Sequence, residues 1–213
     1  MKTKDDYDWS RYTRTYLWEI DHIRKDEQLD FLVQKSHVEG NELVFEDPLH
    51  ENWKELYFQI HRLRPRSVLE CGCGGCYHLY NIRKLMPDVE VNGCDLLASQ
   101  IETAAAGKLQ VPEDIRRRVI VTDFSEPAAP VVIGRKFDLI YSHAVIMHLQ
   151  HAKAVQFLKN MMELAGQYVL LVENPALNDF PAIFADAAIE SHFTRSPANR
   201  FVPFGVLWTR KAP

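Results

Sequence analysis

One octapeptide constrains this chain more than any other feature: Val68-Leu69-Glu70-Cys71-Gly72-Cys73-Gly74-Gly75, an apolar strand that ends in an acid and runs into glycines before a helical segment. Glycines at that point let the backbone turn sharply and approach a ligand closely, and an acid at the strand end can hold a cationic or hydroxylated group. Taken alone the loop is also compatible with a purely structural tight turn, so the segments that follow decide its meaning.

The next strand, Val91-Asn92-Gly93-Cys94-Asp95, places an acid 21 positions beyond Gly74. An acid at that distance from a glycine loop is placed to accept hydrogen bonds from ribose hydroxyls. A plainer reading makes Asp95 the N-cap of a helix beginning near Ser99, and both roles can coexist. At the end of the third strand Thr122-Asp123-Phe124 offers a carboxylate and an aromatic face, a pair suited to the amino group and ring of an adenine, with a solvated turn as the alternative.

Around these motifs, short β-type runs at 67–70, 89–94, 119–122, 137–141 and 168–172 alternate with helical segments at about 76–86, 99–108, 152–164 and 179–190. That alternation predicts an α/β fold with a Rossmann-like, doubly wound, mostly parallel sheet of seven strands. Residues 193–194 and 202–209, separated by the turn chemistry of Ser196-Pro197-Ala198-Asn199, predict a C-terminal antiparallel hairpin at the sheet edge. Asp47-Pro48 predicts the start of a helix, carrying Trp53, Leu56, Tyr57, Ile60 and Leu63 inward and ending at Arg64-Pro65. Upstream, Trp9, Tyr12, Tyr16, Ile20 and Ile23 recur at helical spacing. The chain therefore divides into an N-terminal helical arm or lid over residues 1–46 and a ligand-binding domain over 47–213.

The set of motifs resembles the class I S-adenosylmethionine-dependent methyltransferases. It is carried by VLECGCGG at 68–75, the acid in NGCDLL at 92–97, TDF at 122–124, FDLIYSHAVIMHL at 137–149 and YVLLVE at 168–173. The resemblance implies S-adenosyl-L-methionine as cofactor, bound by Glu70, Cys71, Gly72, Gly74, Asp95, Leu96, Asp123, Phe124 and Ser142. Within that set it implies that Glu70, Gly72 and Gly74 surround the methionine part, that Asp95 takes the ribose and that Asp123 and Phe124 flank the adenine. The stretch Tyr141 to His143 then faces the methyl group. One departure is Cys76, where many members have a third glycine.

His143 and His148 lie just past the fourth strand, where side chains face the ligand crevice, and imidazole has the pKa to take a proton from an acceptor at neutral pH. The apolar Ala144-Val145-Ile146-Met147 between them makes a hydrogen-bonded core role the competing reading for either.

Charge and composition limit the acceptor. With 25 Lys and Arg against 29 Asp and Glu, the net charge of -4 argues against nucleic acid held by bulk phosphate attraction and against anionic membrane. The arginines at 62, 64, 66 and 116–118 read as solvated faces. No Asn-Pro-Pro-Tyr segment of the amino-methylating nucleic-acid enzymes occurs, so the expected acceptor is an oxygen or nitrogen of a small molecule or sugar. The opening residues have no apolar signal core and no run of about 18 apolar residues occurs, which together with four thiols crowded at Cys71, Cys73, Cys76 and Cys94 predicts a cytoplasmic location. Those cysteines lack the spacing of a zinc ribbon, and Ser142-His143 lacks the acid of the metal-dependent catechol methyltransferases that the chain otherwise resembles, so no metal is expected, Glu173-Asn174 after the fifth strand being the one candidate left open. Two rivals remain. An NAD-dependent oxidoreductase wants a third glycine at Tyr77. A non-catalytic cofactor-binding protein of the same fold is separated only by turnover.

Overall fold

The computed structural model describes Trp9, residues 32–106 and residues 111–212, with side chains omitted at 103–106. Most of the predicted arm helix, including Tyr12, Tyr16, Ile20 and Ile23, lies outside the described residues, as does the end of the predicted 99–108 helix.

A short antiparallel hairpin opens the described chain, β1 (His37–Glu39) and β2 (Glu42–Val44), closed by a two-residue Gly40-Asn41 turn with Gly40 at φ 60°. This hairpin was not predicted, although Gly-Asn between two β-type runs is a recognised hairpin signal. The following helix, α1 (Glu51–Leu63), starts later than the Asp47-Pro48 expectation and is capped by His50, whose Nδ1 accepts from the Asn52 N–H. Asp47 is engaged elsewhere. Its carboxylate accepts from the backbone N–H groups of Gln34, Lys35 and Ser36 at 2.7–3.0 Å, tying the segment before the hairpin to the segment after it.

From there strands and helices alternate: β3 (Ser67–Cys71), α2 (Tyr77–Leu85), β4 (Glu90–Asp95), α3 (Ala98–Ala106), α4 (Glu113–Arg116), β5 (Val119–Val121), α5 (Ala129–Ile133), β6 (Phe137–His143), α6 (His151–Leu164) and β7 (Ala165–Val172), the short α4 and α5 being additions to the predicted set. The predicted 179–190 helix is two pieces, α7 (Phe180–Asp186) and α8 (Ile189–His192), because Ala188 adopts a left-handed φ of 54° that no continuous helix accommodates. Strand β8 (Phe193–Ala198) pairs antiparallel with β9 (Gly205–Arg210). Ser196, Pro197 and Ala198 thus belong to β8 rather than to the turn, and the edge position is what lets Pro197 sit in a strand.

The sheet order is β5-β4-β3-β6-β7-β9-β8, with β5 through β7 parallel and β9 antiparallel to β7. It is a Rossmann-like, doubly wound fold. Strand order reverses between β3 and β6, so the crevice at their carboxyl ends is where a ligand meets an open α/β sheet.

Alternation along each strand sends side chains to two cores. Val68, Leu139, Tyr141 and Leu170 pack against α1 and α2 through Leu56, Tyr57, Ile60, Leu79 and Ile82. Leu69, Cys71, Ile140, Val169 and Leu171 pack against α6 and α7 through Phe157, Leu158, Met161 and Ile183. Both faces are buried, which is why these strands read as nearly continuous apolar runs, and each such buried side chain contributes about 1.5–3 kcal/mol. The same period of two puts Glu70, Tyr141 and His143 on the α1/α2 side at the crevice end.

Candidate active site

The loop after β3 is tied to the neighbouring strand before any ligand arrives. Both Gly72 N–H and Cys73 N–H donate to Cys94 O, at 2.8 and 3.0 Å. Gly72 and Gly74 have φ of 79° and 48°, so the glycine requirement is conformational at both. Gly72 has a second reason: a Cβ there would lie 2.5 Å from Cγ2 of Val145. Cys76, at the place of the missing third glycine, is itself left-handed at φ 61°, with its thiol 3.8 Å from Gly74 O. The backbone keeps the turn that a glycine would favour, at a cost of about 1–2 kcal/mol.

Asp95 closes the loop from β4. Its Oδ2 accepts from Gly74 N–H at 2.8 Å and its Oδ1 from Leu97 N–H at 2.9 Å, so it caps the turn into α3 and braces the glycine loop with the same carboxylate. Burial nevertheless raises its pKa, the backbone bonds opposing. Glu70 is buried and accepts from the Tyr141 hydroxyl at 3.0 Å; burial pushes its carboxyl well above the usual range, with Cys76 and Asp95 nearby adding to the rise. Two acids whose ionisation is opposed by their surroundings, at the mouth of a glycine loop, suit a cation.

The remaining predicted residues are spread along the same edge. Leu96 is 44% exposed. Asp123 accepts from Ser125 N–H and Oγ at 2.9 and 2.6 Å, and Phe124 is buried with its ring edge-on to Phe157 at 4.9 Å, so the Phe124 ring belongs to the core beneath the crevice. Ser142 is fully buried and donates to Glu173 Oε1 at 2.6 Å. Glu173 Oε1 also accepts from Val145 N–H and its Oε2 from Met147 N–H, which pins the loop after β6, including Ala144 at φ 56°. These bonds occupy the carboxylate that the sequence left as a metal candidate. Cys71, Cys73, Cys76 and Cys94 are all buried free thiols, and among the described residues no group of His, Cys, Asp and Glu is arranged to hold a metal ion.

The two predicted histidines part company. His148, on the 3₁₀ turn 146–148, meets the indole of Trp9 edge-on at 5.9 Å. His143, at the end of β6, has its Nδ1 3.3 Å from Nε2 of His78 on α2, and the two rings are edge-on at 4.7 Å. His78 Nδ1 lies 2.8 Å from the Tyr57 hydroxyl, which accepts from Asn81 Nδ2 at 2.8 Å. Burial, with His50 adjacent, holds His143 down at about 4, and burial beside His143 holds His78 well below its ordinary value. His78, Tyr57 and Asn81 were not singled out as site residues from sequence. The i, i+3 spacing of His78 and Asn81 directly after the glycine loop is the only trace of them.

Residues 69–167 match a family model described as a methyltransferase domain. Over those residues the chain carries a methyltransferase domain. Solved structures share the fold of this methyltransferase at low identity. A TehB-like S-adenosylmethionine-dependent methyltransferase from Corynebacterium glutamicum is 16% identical with a TM-score of 0.62, over 95% of this chain and 100% of that one. Magnesium protoporphyrin IX methyltransferase from Synechocystis, crystallised with S-adenosylmethionine, is 15% identical with a TM-score of 0.55, over 76% of this chain and 79% of that one. A methyltransferase domain named bacterial CtHen1-C is 16% identical with a TM-score of 0.58, over 76% and 98%.

The residues of this methyltransferase fit such a cofactor. A Cβ added at Gly74 would meet nothing closer than Gln100 Oε1 at 4.0 Å, and that oxygen is buried without a hydrogen-bond partner. An open space beside a left-handed glycine, an orphaned acceptor and two acids with raised pKa values make a setting for a ligand that brings both cationic groups and donors.

Proposed function

We propose that the chain uses S-adenosylmethionine to methylate an oxygen or nitrogen of a small molecule or sugar, and that the crevice at the carboxyl ends of β3, β4 and β6 is its active site. The observation that carries the reading is the Glu70–Gly74–Asp95 constellation, in which one glycine loop is held between two acids. Glu70, Cys71, Gly72 and Gly74 would receive the methionine part, Asp95 and Leu96 the ribose, and Asp123 the adenine, with the Phe124 ring in the core beneath it. Ser142 would line the cofactor side of the crevice.

The bound cofactor supplies an electrophilic methyl group. The protein's share is alignment: it holds the acceptor atom on the line of attack and excludes water, which removes most of the entropic barrier. One of His143 and His148, with His143 favoured for its place at the strand end, orients or deprotonates the acceptor. The arm formed by residues 1–46 closes over the crevice, a reading supported by Trp9 lying against His148 on the loop after β6. Its last third is anchored to the ligand-binding domain, since Val33 is fully buried and Asp47 grips residues 34–36.

Incubating the protein with methyl-labelled S-adenosylmethionine and a fractionated cell extract tests the acceptor class. Label in the low-molecular-weight fraction is the expected result, and label confined to nucleic acid or protein would overturn it.

A further inference from the structure

The buried chain Asn81–Tyr57–His78–His143 has a direction, and the direction can be read from its far end. Val33 N–H donates to Asn81 Oδ1 at 3.0 Å, which turns the amide nitrogen toward Tyr57. Asn81 Nδ2 donates to the Tyr57 oxygen at 2.8 Å, so the single hydroxyl proton of Tyr57 is free to go to His78 Nδ1, 2.8 Å away. His78 Nδ1 is then bare and its proton sits on Nε2, which donates to His143 Nδ1 across 3.3 Å. His143 Nδ1 is thereby an acceptor, and the His143 proton sits on Nε2, a buried atom with no hydrogen-bond partner.

The opposite direction strands a proton. With His143 Nδ1–H donating to His78 and His78 Nδ1–H donating to Tyr57, the Tyr57 oxygen would receive two donors and its own proton would have no acceptor around a fully buried ring. Protonating either imidazole to escape the choice is disfavoured, since burial lowers the pKa of both.

We propose that Asn81, Tyr57 and His78 are positioning residues that hold His143 as the Nε2–H tautomer, so that His143 donates a hydrogen bond to an acceptor that arrives already deprotonated, a carboxylate. This inference rests on the methyltransferase reading. In this tautomer Nε2 carries no lone pair with which to remove a proton from a hydroxyl or ammonium group. Three carboxylates of the crevice are likewise engaged. Glu70 accepts the Tyr141 hydroxyl, Asp95 accepts two backbone N–H groups, and Glu173 accepts the Ser142 hydroxyl and two backbone N–H groups.

A carboxylate needs no base, being ionised at neutral pH. Nε2–H on one carboxylate oxygen turns the other toward the methyl group. The C–O bond forms from an oxygen lone pair as the methyl–sulfur bond breaks with its electron pair passing to sulfur. An anion and a sulfonium cation become a neutral ester and a neutral thioether, and no proton moves.

Side-chain nitrogen-15 NMR of the full chain reads the tautomer directly. In the wild type, with or without S-adenosylhomocysteine, His78 and His143 are expected as Nε2–H, in about 10-fold excess or more over the alternative, given the stranded hydroxyl that the alternative requires. Tyr57→Phe should bring the two His143 tautomers to within about 3-fold of each other, because His78 Nδ1 then loses its partner in either direction. A purely structural Tyr57 would change unfolding without changing the tautomer. With S-adenosylhomocysteine bound, benzoate should shift the His143 Nε2–H signal, and phenol at the same concentration should not. A bare His143 Nε2 in the wild type would overturn the tautomer assignment. Silence toward benzoate, or a larger response to phenol, would overturn the carboxylate. Calorimetry on the same sample separates these outcomes from failure of the methyltransferase reading, which would show as no binding of S-adenosylhomocysteine.

Discussion

Gly72→Ala should be among the most damaging single-methyl additions in the chain, and the structure divides its cost into two parts. The first is conformational: at φ 79° an L-residue is strained by about 1–2 kcal/mol. The second is steric: the new Cβ would lie 2.5 Å from Val145 Cγ2 and 3.2 Å from its Cγ1, and overpacking of this kind costs about 1–3 kcal/mol. The expected loss is therefore about 2–5 kcal/mol. Val145 is on the loop pinned by Glu173, so it cannot retreat without breaking that carboxylate's bonds to the backbone. Val145→Ala removes the atoms in the way and leaves the φ strain untouched. A double-mutant cycle by urea unfolding should accordingly give a favourable coupling of about 1–3 kcal/mol between the two substitutions. Binding of S-adenosylhomocysteine should weaken in Gly72→Ala and recover in part in the double variant. A Gly72→Ala protein within about 0.5 kcal/mol of the wild type, or additive effects of the two substitutions, would refute the packing argument.

Asp95→Ala should weaken S-adenosylhomocysteine binding by about 1.5–3 kcal/mol, measured by calorimetry, through lost charge-assisted hydrogen bonds and a loosened glycine loop. His143→Ala should lower methyl transfer about 10²-fold with cofactor affinity unchanged, and His148→Ala should cost less; equal turnover for both variants and wild type would make these histidines structural. Because burial, with His50 nearby, holds the folded pKa of His143 at about 4, below the ordinary 6.5 of an exposed imidazole, the folded state binds fewer protons than the unfolded one in that window. Stability from this group is present above pH 6.5 and is lost as pH falls toward 4, so His143→Asn should lose less stability than the wild type between pH 7 and 5 in urea titrations. Glu70, raised by burial, should release protons when a cation binds beside it. Affinity for S-adenosylmethionine should therefore rise with pH, and the binding heat should vary with the ionisation enthalpy of the buffer.

The sheet was legible because each of its signals is local. Strands buried on both faces show as apolar runs, and Gly72 and Gly74 are needed by their own backbone angles. Asp95 was legible for the same reason, since its partner Gly74 sits at a fixed distance along a β-α-β unit. Other features depended on contacts that no local pattern encodes. Asp47 looked like a helix cap because the residues it binds, 34–36, come before it in the chain and become neighbours only when the hairpin closes. The break at Ala188 has no glycine or proline to announce it. The histidine chain joins Val33, Tyr57, His78, Asn81 and His143 across three elements and the segment before β1, so only the position of His143 at a strand end was readable. Phe124 shows the opposite failure: its place after the third strand was legible, but whether its ring faced the crevice or the core depended on Phe157.

Isothermal calorimetry with S-adenosylmethionine, S-adenosylhomocysteine and NAD tests the central claim most directly. Saturable binding of both sulfur ligands at one site per chain, weakened by Asp95→Ala and absent with NAD, is the predicted result. A clear NAD signal with no heat from either sulfur ligand would contradict it.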